Sequence, residues 1–188
     1  VRAQDPPIQW GRISDAEVAA TSDDPDASVL VLGDVGFDEL RPAANGFRYR
    51  RRRHRRVKVL TEAGYEQGEF ALRYSDDGAI HGVKGQTFVP QPDGSLRAVD
   101  LERGSIREEA VRDGIREVRF SMPALAPGAI FEVEYTYESD DFVALPAWYF
   151  QSDEPTLVSE YRVSVPATLA YVTLRQGRQI QDHPPTVG

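Results

Sequence analysis

Across residues 117–137, apolar and polar side chains alternate with a period of two. Val118, Phe120 and Met122 are interleaved with Glu117, Arg119 and Ser121. Further on, Phe131, Val133, Tyr135 and Tyr137 are interleaved with Glu132, Glu134, Thr136 and Glu138. That period, with aromatic and β-branched residues on one side, predicts half-buried strands and not helix. Pro127-Gly128 between them predicts a tight turn, because proline presets φ at the second turn position and glycine accepts positive φ at the third. One face of the predicted hairpin is apolar and the other is a row of carboxylates. A lone hairpin cannot cover its own apolar face, so a second sheet must pack on it.

The same reading runs along the rest of the chain. Ser14-Asp15-Ala16-Glu17 has the form of a capping box and predicts a short helix over residues 15–20, stopped by Thr21-Ser22-Asp23-Asp24-Pro25. Residues 27–35 form a nearly continuous apolar run, the pattern of a strand covered on both faces. Residues 47–62 are the longest strand candidate and end at Gly64. Phe70, Leu72 and Tyr74 mark another strand, turned at Asp76-Asp77-Gly78. Residues 80–89 follow, with Gly82 and Gly85 suggesting a bulge. Pro92-Asp93-Gly94 is a further turn signal. Residues 106–111 read as a helical turn. Residues 156–165 alternate again through Leu157, Ser159, Tyr161, Val163 and Val165, and residues 170–174 form a last strand. Short strands separated by turn signals about every ten residues predict an all-β fold, an antiparallel β-sandwich of two packed sheets with one short N-terminal helix.

Composition narrows the chemistry. The chain has 188 residues, 40% hydrophobic and 28% charged, enough to bury a core. No apolar run approaches the roughly 20 residues a membrane-spanning helix needs. There is no cysteine, which excludes disulfides, thiolate metal sites and a cysteine nucleophile. The formal net charge of −8 is uneven. Residues 48–58 carry seven arginines and Lys58 with no acid, so the remainder is strongly acidic. Val1 and Ala3 resemble the end of a signal-peptidase site, which would make the protein exported.

The basic stretch suggests either an anionic partner or a strand whose arginines face glutamates such as Glu132 and Glu134 on a neighbour. With an acidic chain and no nucleic-acid motif, paired charges are the favoured reading and nucleic acid is not an expected partner. His54, His81 and His183 lie too far apart to share ligand spacing, so no metal or other cofactor is expected. Ser159-Glu160 has no nucleophile-elbow context. Trp148, Tyr149, Phe150 and Gln151 form an aromatic cluster suited to a sugar platform, a core plug or a domain contact.

Taken in order, the motifs resemble a known family. Trp10-Gly11-Arg12-Ile13-Ser14, His54-Arg55-Arg56-Val57-Lys58-Val59-Leu60, Lys84-Gly85-Gln86-Thr87, Phe120-Ser121-Met122-Pro123 with Pro127-Gly128-Ala129-Ile130-Phe131, and Trp148-Tyr149-Phe150-Gln151 with Ser159-Glu160-Tyr161 are similar to the Domain of Unknown Function 3857 family. The resemblance implies a β-rich domain preceding a transglutaminase-like domain in exported bacterial proteins, in the periplasm, cell envelope or medium. On this reading residues 1–9 are an arm, 10–175 the β-sandwich (one unit or two β subdomains), and 176–188 the start of a linker to a transglutaminase-like domain. The expected function is a non-catalytic accessory role, positioning or stabilising that domain or its substrate. The alternative is a glycan- or anion-binding module that uses the basic stretch or the aromatic cluster. The expected surface comprises Trp148, Tyr149, Phe150, Gln151, Glu160, Arg50, Arg52 and Arg53. The expected partners are the transglutaminase-like domain and an envelope glycan or protein substrate.

Overall fold

The computed structural model describes residues 6–44, 46–141 and 145–169. The elements follow in chain order: helix α1 (Asp15–Ala19), β1 (Val29–Ala43), β2 (Gly46–Val59), a 3-10 segment (Glu62–Gly68), β3 (Glu69–Ser75), β4 (Gly78–Pro90), β5 (Leu96–Asp100), a 3-10 turn (Arg103–Ser105), β6 (Arg107–Arg112), β7 (Ile115–Ser121), β8 (Ile130–Ser139) and β9 (Ser159–Ser164). They form an all-β sandwich. A six-stranded sheet has the order β5-β4-β8-β2-β1-β9, and a three-stranded sheet the order β3-β7-β6. The expected strand at 170–174, His183, the linker at 176–188 and the Val1–Ala3 motif lie outside the described residues.

The main core lies between the sheets. Val29, Val31, Val57, Val59, Phe131 and Val133 point from the large sheet toward Tyr74, Val118 and Phe120 of the small one. Phe70 and Phe120 stack with centroids 4.7 Å apart. A second cluster, Leu30, Leu32, Phe88 and Ile130, forms on the opposite face of the large sheet. The first four residues of β1 are therefore buried on both sides, as the unbroken apolar run predicts. Ile8 of the N-terminal arm is buried over Gly33, where a methyl group would sit 2.7 Å from Ile8 Cγ2. The arm and α1 thus make a partial third layer. Their capping box forms as predicted: Ser14 Oγ accepts from Glu17 N, and Ser14 N donates to Glu17 at 2.7 Å.

Several local expectations change. Residues 117–137 are not a hairpin. β7 belongs to the small sheet and β8 to the large one, and their apolar faces meet across the core. Their connection runs over 122–129, which frees each strand to pair elsewhere. Asp76-Asp77-Gly78 likewise passes the chain between sheets, since β3 pairs with β7 while β4 pairs with β5 and β8. Residues 107–112 are a strand, β6, not a helical turn; both of its faces meet water, so no apolar period marks it. β1 continues past residue 35 to Ala43, paired with β2 along its whole length. β9 is shorter than residues 156–165 and runs parallel to β1 at the sheet edge, an exception within an otherwise antiparallel sandwich. A parallel pair needs a crossover and cannot be closed by a tight turn. The expected bulge in β4 is present between His81 and Lys84, with Gly82 at φ +64°.

Candidate functional site

Strand β2 sends its side chains alternately to the two faces of the large sheet, so its basic run is split in two. The odd positions Arg51, Arg53 and Arg55 share the inner face with Val57 and Val59; the even positions Arg50, Arg52, His54 and Arg56 face the other way. The bulge in β1 between Val31 and Gly33 brings Asp34, Gly36 and Asp38 onto the inner face, opposite Arg55, Arg53 and Arg51.

There the arginines meet carboxylates. Arg51 grips Asp38 with Nε at 2.7 Å and Nη2 at 2.8 Å. Tyr49 and Tyr161 donate their hydroxyls to the same carboxylate at 2.8 and 2.7 Å. Burial acts against the charged Arg51 guanidinium, but the hydrogen bonds and charge of Asp38 outweigh it and raise its pKa. Burial raises the Tyr49 phenol, and Asp38 adds to that. Arg53 holds Asp34 through Nε at 2.8 Å and Nη2 at 2.5 Å. Two-pronged contacts of this kind match the planar fork of arginine to a carboxylate.

Trp148 covers this cluster. Its ring stacks on Tyr161 with centroids 5.4 Å apart and planes 14° apart, and its Nε1 donates to Ser159 Oγ at 3.2 Å. Arg51 and Arg53 lie 5.8 and 5.3 Å from its ring centroid. Gly36 makes this approach possible, because a methyl there would sit 2.4 Å from the ring. Arg51 also donates to Pro146 O at 2.7 Å, fastening the crossover to the sheet. The aromatic trio therefore divides. Trp148 packs inward as a pin, whereas Tyr149 is 79% and Phe150 42% exposed. Leu157, Val158 and Val163 add to the apolar surface exposed by the crossover and β9. Gln151 is exposed, and Glu160 is half-buried and paired with Arg162.

On the other face, Arg50 reaches Glu138 at 3.5 Å and Arg52 is exposed. Arg56 is fully buried and bonds Glu132 Oε2 at 2.7 Å, Glu17 Oε1 at 2.6 Å and the Gln9 carbonyl at 2.6 Å. His54 Nε2 lies 2.9 Å from Glu132 Oε2, and Gly11 N donates to Oε1 at 2.7 Å. Glu132 is thus a buried anchor for the arm, not part of a solvated row of carboxylates. Burial pushes its pKa up, but the bonds from His54, Arg56 and Gly11 prevail and hold it below the ordinary value. Glu134, the other expected arginine partner, pairs with Lys84 at 3.3 Å.

A cleft of about 360 Å³ opens between the sheets beside the core, lined by Arg53, Arg55, Gln67, Phe70, Leu72 and Tyr135. Among the described residues no group of three His, Asp or Glu side chains is placed to hold a metal ion. The structure brings Arg53 and Trp148 together and leaves Arg50, Arg52 and Gln151 outside their cluster. Sequence reasoning had Arg51 and Arg55 only as members of the basic stretch, and did not single out Asp34, Asp38 or Tyr161 as site residues. The spacing Asp34-x-Gly36-x-Asp38 was the available signal, because alternate positions on a strand share a face.

Residues 46–186 match the family described as "Domain of Unknown Function with solved-structure structure (DUF3857)". No curated protein matches the chain. A crystal structure from Parabacteroides distasonis, named a "putative protease", shares the fold with a TM-score of 0.57 at 17% identity. That likeness covers 75% of this chain and 29% of the other, so the chain matches under a third of that protein's length. By the family match, which spans most of its length, the chain belongs to the DUF3857 family.

Proposed function

We propose that this chain is a non-catalytic accessory module that docks, through its crossover and β9 edge, onto a transglutaminase- or protease-like catalytic domain of the same exported polypeptide. The observation that carries this reading is the division of the aromatic trio. Trp148 is fixed to the sheet by stacking and by Arg51 and Arg53, while the adjacent Tyr149 and Phe150 are turned to solvent. With Leu157, Val158 and Val163 also exposed on the crossover and β9, this part of the chain offers apolar surface of the kind that contacts another folded surface. In the Parabacteroides distasonis protein the matched region is 29% of the chain, so the fold there is one part of a larger protein. The zero cysteine count is consistent with cysteine-based chemistry residing in another domain. The basic strand is a weaker docking candidate, since Arg51, Arg53 and Arg56 are consumed by Asp38, Asp34 and Glu132.

The test is a Tyr149→Ser/Phe150→Ser double variant in the parent polypeptide. These side chains are exposed, so the module itself should keep its own melting temperature. The catalytic domain should lose thermal stability or activity, and a single cooperative transition should split in two. Unchanged melting and unchanged activity would remove the docking reading.

A further inference from the structure

The cleft between the sheets contains a cation, Arg55, that forms no ion pair with a described carboxylate, although Asp34 and Glu154 act on it from farther away. Arg55 lies opposite Asp34 on β1 and Val133 on β8. Asp34 is turned to Arg53, which holds both of its oxygens. Arg55 keeps one hydrogen bond, from Nη2 to Gln67 Oε1 at 3.2 Å, and Gln67 in turn donates to Glu154. The Arg55 Nε is buried with no hydrogen-bond partner. Burial, and then the neighbouring Arg53 charge, lower the Arg55 pKa and outweigh the opposing pull of Asp34 and Glu154. An unpaired buried donor on a partly desolvated cation is costly, and an anionic ligand on the part of the guanidinium that lines the cleft would offset part of that cost.

The rest of the cleft indicates what kind of ligand. Phe70, Leu72 and Tyr135 provide an apolar wall. Glu66 and Glu69, both exposed, line the same cleft. Its volume of about 360 Å³ suits a small organic molecule. We propose that this cleft binds the C-terminal end of a short peptide or a free amino acid: carboxylate on Arg55, apolar side chain on the Phe70–Leu72 wall, amino group toward Glu66 and Glu69. A carboxylate matches the guanidinium fork. An inorganic phosphate would meet the repulsion of two glutamates without filling the apolar wall, and a purely apolar molecule would leave the Arg55 guanidinium without an anionic partner.

The experiment is a ¹H–¹⁵N NMR titration of the 188-residue chain with the dipeptide Ala-Leu. Saturable shifts centred on Arg55, Gln67, Phe70 and Leu72 are expected, with a Kd on the order of 1 mM. The C-terminal amide of Ala-Leu and the N-acetylated dipeptide should each bind at least about tenfold more weakly. Arg55→Gln should weaken Ala-Leu by a similar factor, and Arg55→Lys should recover part of it. Leu72→Trp, which fills the cleft and keeps the arginine, should abolish binding while thermal melting shows the fold intact. Leucine binding as tightly as Ala-Leu would identify free amino acids as the source, and weaker leucine binding would identify peptides. The proposal is overturned by no saturable shift up to about 20 mM, by equal affinity of the amide and the acid, by phosphate competing as well as the dipeptide, or by an unaffected Arg55→Gln variant.

Discussion

Single side chains decide whether a charged strand can be buried. Asp34 and Asp38 neutralise Arg53 and Arg51, and Gly36 between them leaves the gap that Trp148 fills. Gly36→Ala should therefore displace the indole and cost about 1–3 kcal/mol, as overpacking of a close contact does. Urea unfolding measures the loss. A shifted Trp148 indole resonance ties it to the ring, and an unchanged resonance would mean that Gly36 is not what admits Trp148. Arg55 should behave in the opposite way. It has no described ion pair, and burial already disfavours its charge. Arg55→Met keeps the stem and removes the stranded donor, so stability should be unchanged or rise by up to about 1 kcal/mol. A clear loss of stability would show that Arg55 is a structural cation. At this scale the sequence announced the arginines but not their partners. The run at 48–58 is conspicuous because it is contiguous, whereas Asp34 and Asp38 come into line only after a bulge that no local pattern marks.

The elements were more legible than their pairings. Ser14 and Glu17 announced α1 because a capping box is a local device, and the apolar run at the start of β1 announced burial on both faces. β6 escaped notice because its side chains are all exposed and impose no apolar period. The helix gains much of its significance from what it covers. Lys58 Nζ donates to the Val18 and Ala20 carbonyls, and Arg56 reaches Glu17. Glu132 and Glu17 therefore attach the arm to the large sheet through charge. For Glu17, burial pushes the pKa up, but hydrogen bonds from Ser14 and Arg56 outweigh it and hold it below the ordinary 4.5. Glu132 is lowered from the same reference. A carboxylate with a depressed folded pKa contributes stability that is present above its unfolded value and lost as pH falls through the folded one. The arm should thus hold above about pH 4.5 and loosen as the pH drops below it. The Trp10 indole resonance reports this directly, since Trp10 packs 5.6 Å from the His54 ring and 4.0 Å from Lys84 Nζ. Glu132→Gln should flatten that acid transition and cost up to about 3–5 kcal/mol by leaving the buried Arg56 with Glu17 as its remaining described carboxylate partner. A Trp10 signal unaffected by acid or by the substitution would mean that apolar contacts alone, chiefly Ile8 over Gly33, hold the arm.

For the whole molecule, alternation correctly indicated two sheets closing on one core, but it could not say which strand joins which sheet. Period-two patterning reports only that one face is buried; it is the same for strands side by side in one sheet and for strands facing each other across a sandwich. Residues 117–137 illustrate this, because β7 and β8 both turn apolar side chains inward while pairing with different neighbours. Pro127-Gly128 does form a turn, with Gly128 at φ +86°, yet it returns the chain to β2, where Gly128 N donates to Val59 O at 2.8 Å and Val59 N to Ala129 O at 2.9 Å. The connection has to cross the thickness of the core, about 10 Å between packed sheets. This distinguishes the two topologies by experiment. Replacing residues 123–128 with Asn-Gly would favour a β7–β8 hairpin, since that dipeptide supplies the two-residue turn hairpins prefer. In the observed fold the same change removes the span that lets β8 sit between β2 and β4, the two strands it pairs with along its length. The shortened chain should therefore lose its cooperative thermal transition, while a six-residue Gly/Ser replacement of the same segment, which keeps the reach, should still melt as one unit. A shortened variant that folds as well as the parent would mean that the two strands are free to pair directly.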